Sequence, residues 1–184
     1  MSFLDVLGQL VDAVLSFIPR PEVVRATHKA VKFKWGKAVI VEPGWRWWWP
    51  LTTEMETHVV VSQPLELPPQ TLMTKDGQSV VVSGVALYHV DMLRAYAVDN
   101  YDSDESMAEV AGSAIRDVVV SKTLAELQEP DGRKAANKTL EAQARQELSR
   151  YGVEIEYFKL TDLSVCRVLN LVGGGVNATV VDDD

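Results

Sequence analysis

The hydrophobic pattern of this chain changes period in its middle. From Lys37 to Val90 the apolar residues alternate or run continuously over short segments; from Asp102 to Tyr151 they recur every three or four positions. A period of two belongs to strands and one of 3.6 to helices. Strands first and helices later indicate an α+β fold, not alternating α/β. At 184 residues the chain is long enough for one sizeable core.

Within the first part, Lys37–Glu42 is rich in Val and Ile, Pro43–Gly44 is a turn signal, and Glu56–Val61 is again β-type. Pro64–Pro69 is an extended segment that its prolines bar from a central strand. Gln70–Thr74 and Val80–Val90 flank Lys75–Asp76–Gly77, which predicts a hairpin with a two-residue Asp-Gly turn. Over Gln78–Tyr88 both faces are largely apolar, so this is expected to be a central strand covered on both sides. Residues 22–36 are basic without clear periodicity and read as a connector.

In the second part, Asp102–Asp104 supply N-cap candidates for a helix whose apolar stripe is Met107, Ala111, Ala114, Ile115 and Val118. Thr123 and Glu126 match a capping box for a short second helix, broken by Pro130–Asp131–Gly132. Residues 133–151 predict a third helix, with Ala136, Leu140, Ala144, Leu148 and Tyr151 in register and Gly152 as its C′ residue. Val153, Ile155 and Tyr157 then alternate with Glu154 and Glu156, which predicts a half-exposed strand to about Leu163.

Two features near the beginning carry more apolar surface than one small core accommodates. Residues 3–18 read as an amphipathic helix with Asp5, Gln9, Asp12 and Ser16 on one stripe, ended by Pro19 and Pro21. Its wide apolar face either packs on protein or lies in a membrane interface. The second feature is Trp45, Arg46, Trp47, Trp48 and Trp49. On a strand, Trp45, Trp47 and Trp49 share one face and Arg46 and Trp48 the other. One row is expected either in a core or at a lipid interface, where indole is at home.

Charge supports the second alternative. The whole chain has a net charge of −8, which argues against a general nucleic-acid binder. Residues 1–50 nevertheless carry a net +3, leaving −11 for the rest. Arg20, Arg25, Lys29, Lys32, Lys34 and Lys37 are therefore candidates for anionic headgroups, each worth on the order of 1 kcal/mol near the surface. No stretch reaches the roughly 18 apolar residues of a membrane span, and the first residues lack the basic start of a secretory signal.

Sites of chemistry are not apparent. His28, His58 and His89 are too far apart for metal-ligand spacing and are expected to be structural or solvent-facing. Asp102, Asp104 and Glu105 read as an acidic helix start, not a cation loop. Cys166 is a lone cysteine, which excludes an internal disulfide. Gly173–Gly175 lacks the Lys-Ser/Thr of a phosphate loop. No catalytic residue, cofactor or metal is assigned.

The order of these segments is similar to a known family. "VIVEPGWRWWWPL" (39–51), "LELPPQTLMTKDGQSVVVSGVALYHV" (65–90), "SAIRDVVVSKTLAELQ" (113–128) and "YGVEIEYFKLTDL" (151–163) resemble successive stretches of the SPFH/Band 7 (stomatin–prohibitin–flotillin) domain. The resemblance implies a β-rich first half followed by an α/β second half, at a membrane surface and often oligomerised. It supplies no catalytic residues, and so implies a non-enzymatic scaffold or regulator. Family members commonly scaffold membranes or regulate membrane proteases. They usually continue into a long coiled coil; residues 164–184 hold three glycines and no sustained heptads. Assembly is therefore expected through the domain or the N-terminal helix.

The expected organisation is an amphipathic membrane or assembly helix (1–21), a basic connector (22–36), an SPFH/Band 7-like domain (37–163) and a short tail (164–184). The expected contact surface is Phe3, Leu7, Leu10, Val14, Phe17, Ile18, Trp45, Trp47, Trp48 and Trp49, on the cytoplasmic face of a membrane as a peripheral homo-oligomer. The alternative is a soluble adaptor whose helix and indoles are buried in a homo-oligomer or a protein partner.

Overall fold

A computed structural model describes residues 18–49 and 52–166. The helix expected over 3–18 and the tail beyond Cys166 lie outside the described residues. The first half holds a two-stranded ribbon, β1 (Arg20–Val24) with β4 (Gly44–Trp48), and a three-stranded sheet in the order β3-β2-β5, with β2 at His28–Lys34, β3 at Lys37–Val41 and β5 at Thr53–Val59. The second half is an antiparallel sheet in the order β6-β7-β8, with β6 at Gln63–Met73, β7 at Ser79–Val90 and β8 at Val153–Val165. Helices α1 (Ser103–Ser121), α2 (Leu124–Gln128) and α3 (Pro130–Leu148) follow β7, with α1 packed along β6 and α3 along β8.

The connector expected over 22–36 is instead two strands. β2 is the central strand of its sheet, and β1 pairs with the tryptophan strand. Periodicity failed here because Ala30 and Val31, adjacent in sequence, are both fully buried. A strand covered on both faces has no alternation to read. The described strands thus run from β1, which includes Arg20 and Pro21, to the end of β8 at Val165.

β7 is central, as its two-sided pattern predicts. Val80, Val82, Ala86 and Tyr88 are buried under the helices, while Val81, Val85 and Leu87 on the other face are half-buried. Gly84 lets α1 approach: a Cβ there would stand 2.8 Å from Ile115 Cδ1 and 3.2 Å from Phe158. β6 is an edge strand. Its register slips between Leu67 and Gln70, so Pro68 and Pro69 fall in a bulge where no amide is required. β8, the other edge, is closed by α3. Arg133 donates to the Leu160 and Thr161 carbonyls, Arg145 to that of Ile155, and Asn137 accepts from the Leu160 amide. Covered or proline-guarded edges resist strand addition.

Three local expectations are corrected. The β6–β7 turn is not a two-residue Asp-Gly loop. Gly77 N donates to Thr74 O and Thr74 N to Gln78 O, with Gly77 at φ +78°, giving a three-residue loop with a glycine bulge. Tyr157 is not on the core face of β8. Glu156 is an extra residue between the Ile155–Tyr88 and Tyr157–Leu87 pairs, so Phe158 and Leu160 turn inward and Tyr157 is half-exposed. The third helix begins at Pro130, not residue 133. Proline suits the first helical turn, where its missing amide costs no bond.

The other helix signals hold. Asp102 caps α1 by accepting from the Glu105 amide, and Met107, Ala111, Ala114, Ile115 and Val118 are buried. Thr123 and Glu126 form the capping box of α2. The β6–β7 turn docks against that cap. The Asp76 carboxylate accepts from Thr74 Oγ1 at 2.5 Å and from the Leu124 amide at 3.2 Å, and Lys75 N donates to Lys122 O at 2.9 Å. The Thr74 bond, followed by the Leu124 amide, outweighs slight burial and holds the Asp76 carboxyl below its ordinary range. A π-helical turn at Ala95–Asp99 had no counterpart in the sequence pattern.

Candidate functional site, an outward apolar ribbon

In β4 the side chains alternate as expected. Antiparallel pairing puts Trp45 opposite Val23 and Trp47 opposite Pro21, so these four share one face, with Trp49 following in the same row. That face points to solvent: Trp45 is 71%, Trp47 63% and Trp49 51% exposed, with Val23 at 52%. It carries no charged side chain. The opposite face holds Arg20 beside Trp48 and Glu22 beside Arg46, ending at the buried Val24. Arg20 and Arg46 on that opposite face are exposed too, so the ribbon meets solvent on both sides, one side charged and the other uncharged. Singly exposed apolar residues need no explanation; a contiguous row of exposed indoles does.

Trp48 sits differently from the other three. It is half-buried and helps to line an open cleft of about 660 Å³ together with Phe33, Trp35, Gly36, Thr53, Glu54 and Met55. Trp35 is a fifth indole that the sequence reading passed over. It is 78% exposed at the tip of the β2–β3 hairpin, in a two-residue loop closed by the Lys34–Lys37 pair. The local signal was Gly36 itself, since glycine suits the positive φ of a two-residue hairpin loop.

The basic residues divide into two groups. Arg20 pairs with Trp48, Lys32 Nζ donates to the Trp47 carbonyl at 3.4 Å, and Lys34 and Lys37 flank the Trp35 loop. These four gather at the indole end. Arg25 and Lys29 do not: Arg25 lies beside His28 at the other end of β2, and Lys29 is paired with Glu42 at 3.2 Å. Ile18 is 51% exposed just before β1, while Phe3, Leu7, Leu10, Val14 and Phe17 lie outside the described residues.

The residues weighed for chemistry have structural occupations. His89 lies 3.3 Å from Glu156 and 3.5 Å from Glu154. His58 stacks edge-on against Tyr96 at 5.9 Å. Asp104 accepts from Tyr96 at 2.6 Å and from Tyr88 at 3.2 Å. Burial, reinforced by the Asp104 charge, pushes the Tyr88 phenol up to about 12; burial and the Asp104 hydrogen bond raise Tyr96 as well. Cys166 is a half-buried free thiol whose amide donates to Ser79 O. Among the described residues no group of three or more His, Cys, Asp or Glu is arranged to hold a metal, and no helix is long and apolar enough to cross a membrane.

This architecture, a β-rich first half joined to a sheet backed by helices, with an apolar surface on the first half, is that of an α+β domain. The chain belongs to the SPFH domain / Band 7 family, whose model matches residues 22–169. The match begins within β1 and so includes the strands at 22–36. The family is in general membrane-associated and non-enzymatic. No individual curated protein matches the sequence.

Proposed function

We propose that this protein is a peripheral membrane scaffold or regulator, without enzymatic activity, that self-associates on the cytoplasmic face of a membrane. The observation that carries the reading is the outward ribbon: Trp45, Trp47, Trp49, Val23 and Pro21 form one uncharged exposed face. Indoles favour the boundary between acyl chains and headgroups, where the ring is buried and the N–H stays wet. Arg20, Lys32, Lys34 and Lys37 gather beside it on a chain that is acidic overall, which suits an anionic leaflet. The apolar residues of the 3–18 segment, which precedes β1 in sequence, supply further apolar surface for the same anchor. A membrane protease or other membrane protein is the kind of partner such a scaffold holds.

Flotation with anionic vesicles tests this. The wild-type chain should float at low salt and be released as salt rises. Trp45→Ser with Trp47→Ser should remove flotation without changing the circular dichroism spectrum, since both indoles are exposed. A wild-type chain that stays in the soluble fraction, as a discrete oligomer indifferent to lipid, overturns the reading in favour of an adaptor that buries the ribbon between copies.

A further inference from the structure

We infer that the Trp35–Gly36 hairpin is a second membrane finger, and that this domain meets an anionic phospholipid surface at two points, the hairpin tip and the ribbon. This rests on the reading above and adds the hairpin to it.

The first argument is conformational. Trp35 has φ +51° and Gly36 φ +72°, the pair of left-handed conformations that a tight two-residue hairpin requires. Glycine accepts that geometry without strain, and Asn or Asp tolerates it, but a bulky side chain rarely adopts it. A tryptophan at the first loop position is therefore the wrong residue for folding. It is not compensated by packing, because the side chain is 78% exposed, the most exposed of the five indoles. Strain held at a displayed side chain points to use of that side chain.

The second argument is position. Trp35 and Trp48 line the same cleft, so the hairpin tip lies at the Trp48 end of the ribbon, not at the Val23 end. The third is charge. Lys34 and Lys37 face each other across the strand pair that closes the loop, and neither is paired with an acid within salt-bridge distance among the described residues. Lys34 also lies opposite Thr53; Lys32 is two residues back on the same strand, and Arg20 is on β1 opposite Trp48. Glu54 is the one carboxylate lining the cleft. An exposed indole flanked by two ammonium groups matches the chemistry of a phospholipid surface, with the ring at the acyl boundary and the amines on phosphates.

The test is Trp35→Asn in the full chain, read two ways. Removing a bulky residue from a left-handed site should raise the Tm by about 2–4 °C. The same substitution should lower binding to mixed phosphatidylcholine–phosphatidylglycerol vesicles several-fold, a loss that instability does not explain because stability has risen. Lys34→Gln with Lys37→Gln should reduce the preference for these vesicles over pure phosphatidylcholine. If Trp35→Asn binds as wild type does while the Trp45/Trp47 variant does not, the finger is wrong and the ribbon reading stands. If the wild-type chain ignores vesicles, both fall. A change in lipid-free oligomer mass on Trp35→Asn would seat the hairpin on a second copy and overturn the inference.

Discussion

The β1–β4 ribbon and the β6-β7-β8 sheet use the same kinds of residue to opposite ends. In the sheet, Val80, Val82, Ala86, Phe158 and Leu160 turn inward and meet Ile115, Met107 and Leu140 from the helices. Its edges are closed by Arg133, Arg145 and Asn137 or guarded by prolines. In the ribbon, the largest apolar side chains of the molecule face water. One region spends its apolar surface on its own stability. The other leaves it exposed, and the neighbouring β2–β3 hairpin holds a bulky residue at positive φ.

This contrast can be broken most decisively in the core. Phe158→Ala should cost about 3–5 kcal/mol, measured by urea denaturation, because it empties a fully buried ring site. Trp47→Ala should change stability by no more than about 0.5 kcal/mol in the same assay. Comparable losses from the two would show that the indole is core, and the contrast would collapse. Gly152→Ala should cost about 1–3 kcal/mol, since Gly152 has φ +74° and a Cβ would stand 2.3 Å from the Met92 carbonyl.

Smaller effects sharpen the account of how the second half is locked. Thr123→Ala should cost about 1 kcal/mol by removing the α2 cap. Asp76→Asn should lower the Tm at neutral pH, and the difference should shrink in acid. The folded Asp76 carboxyl lies below its ordinary 3.8, so its contribution is complete above that value and is lost as pH falls through the folded pKa. A gap in Tm that persists at low pH would mean that the charge on Asp76 is not what ties the turn to α2.

Legibility followed the same division. Helix α1 and its cap, the capping box at Thr123, the Gly152 stop and the central place of β7 all rest on local rules, and the structure shows each of them. The strands over 22–36 did not: β1 pairs with β4 and β2 with β5, each some twenty or more positions on, and with adjacent Ala30 and Val31 both fully buried β2 shows no alternation. Tyr157 was misplaced for a related reason. The bulge at Glu156 is set by pairing with Leu87 and Tyr88, some seventy positions earlier on β7. At the candidate site, the alternation of Trp45, Trp47 and Trp49 against Trp48 was legible from strand geometry alone. Which row would face solvent was not, and neither was the separation of Arg25 and Lys29 from the other basic residues.

What belongs to the sequence by itself is periodic and local: a β-then-α order, an acidic chain with a basic beginning, an indole row on one side of a strand, and no spacing suited to a metal or a nucleophile. What only the tertiary structure decided is the direction of that row. Pairing with Pro21 and Val23 gives it apolar neighbours, while Arg20, Glu22 and Arg46 take the other side. Alternation tells which side chains share a face; only packing against the remainder of the chain tells whether that face is covered.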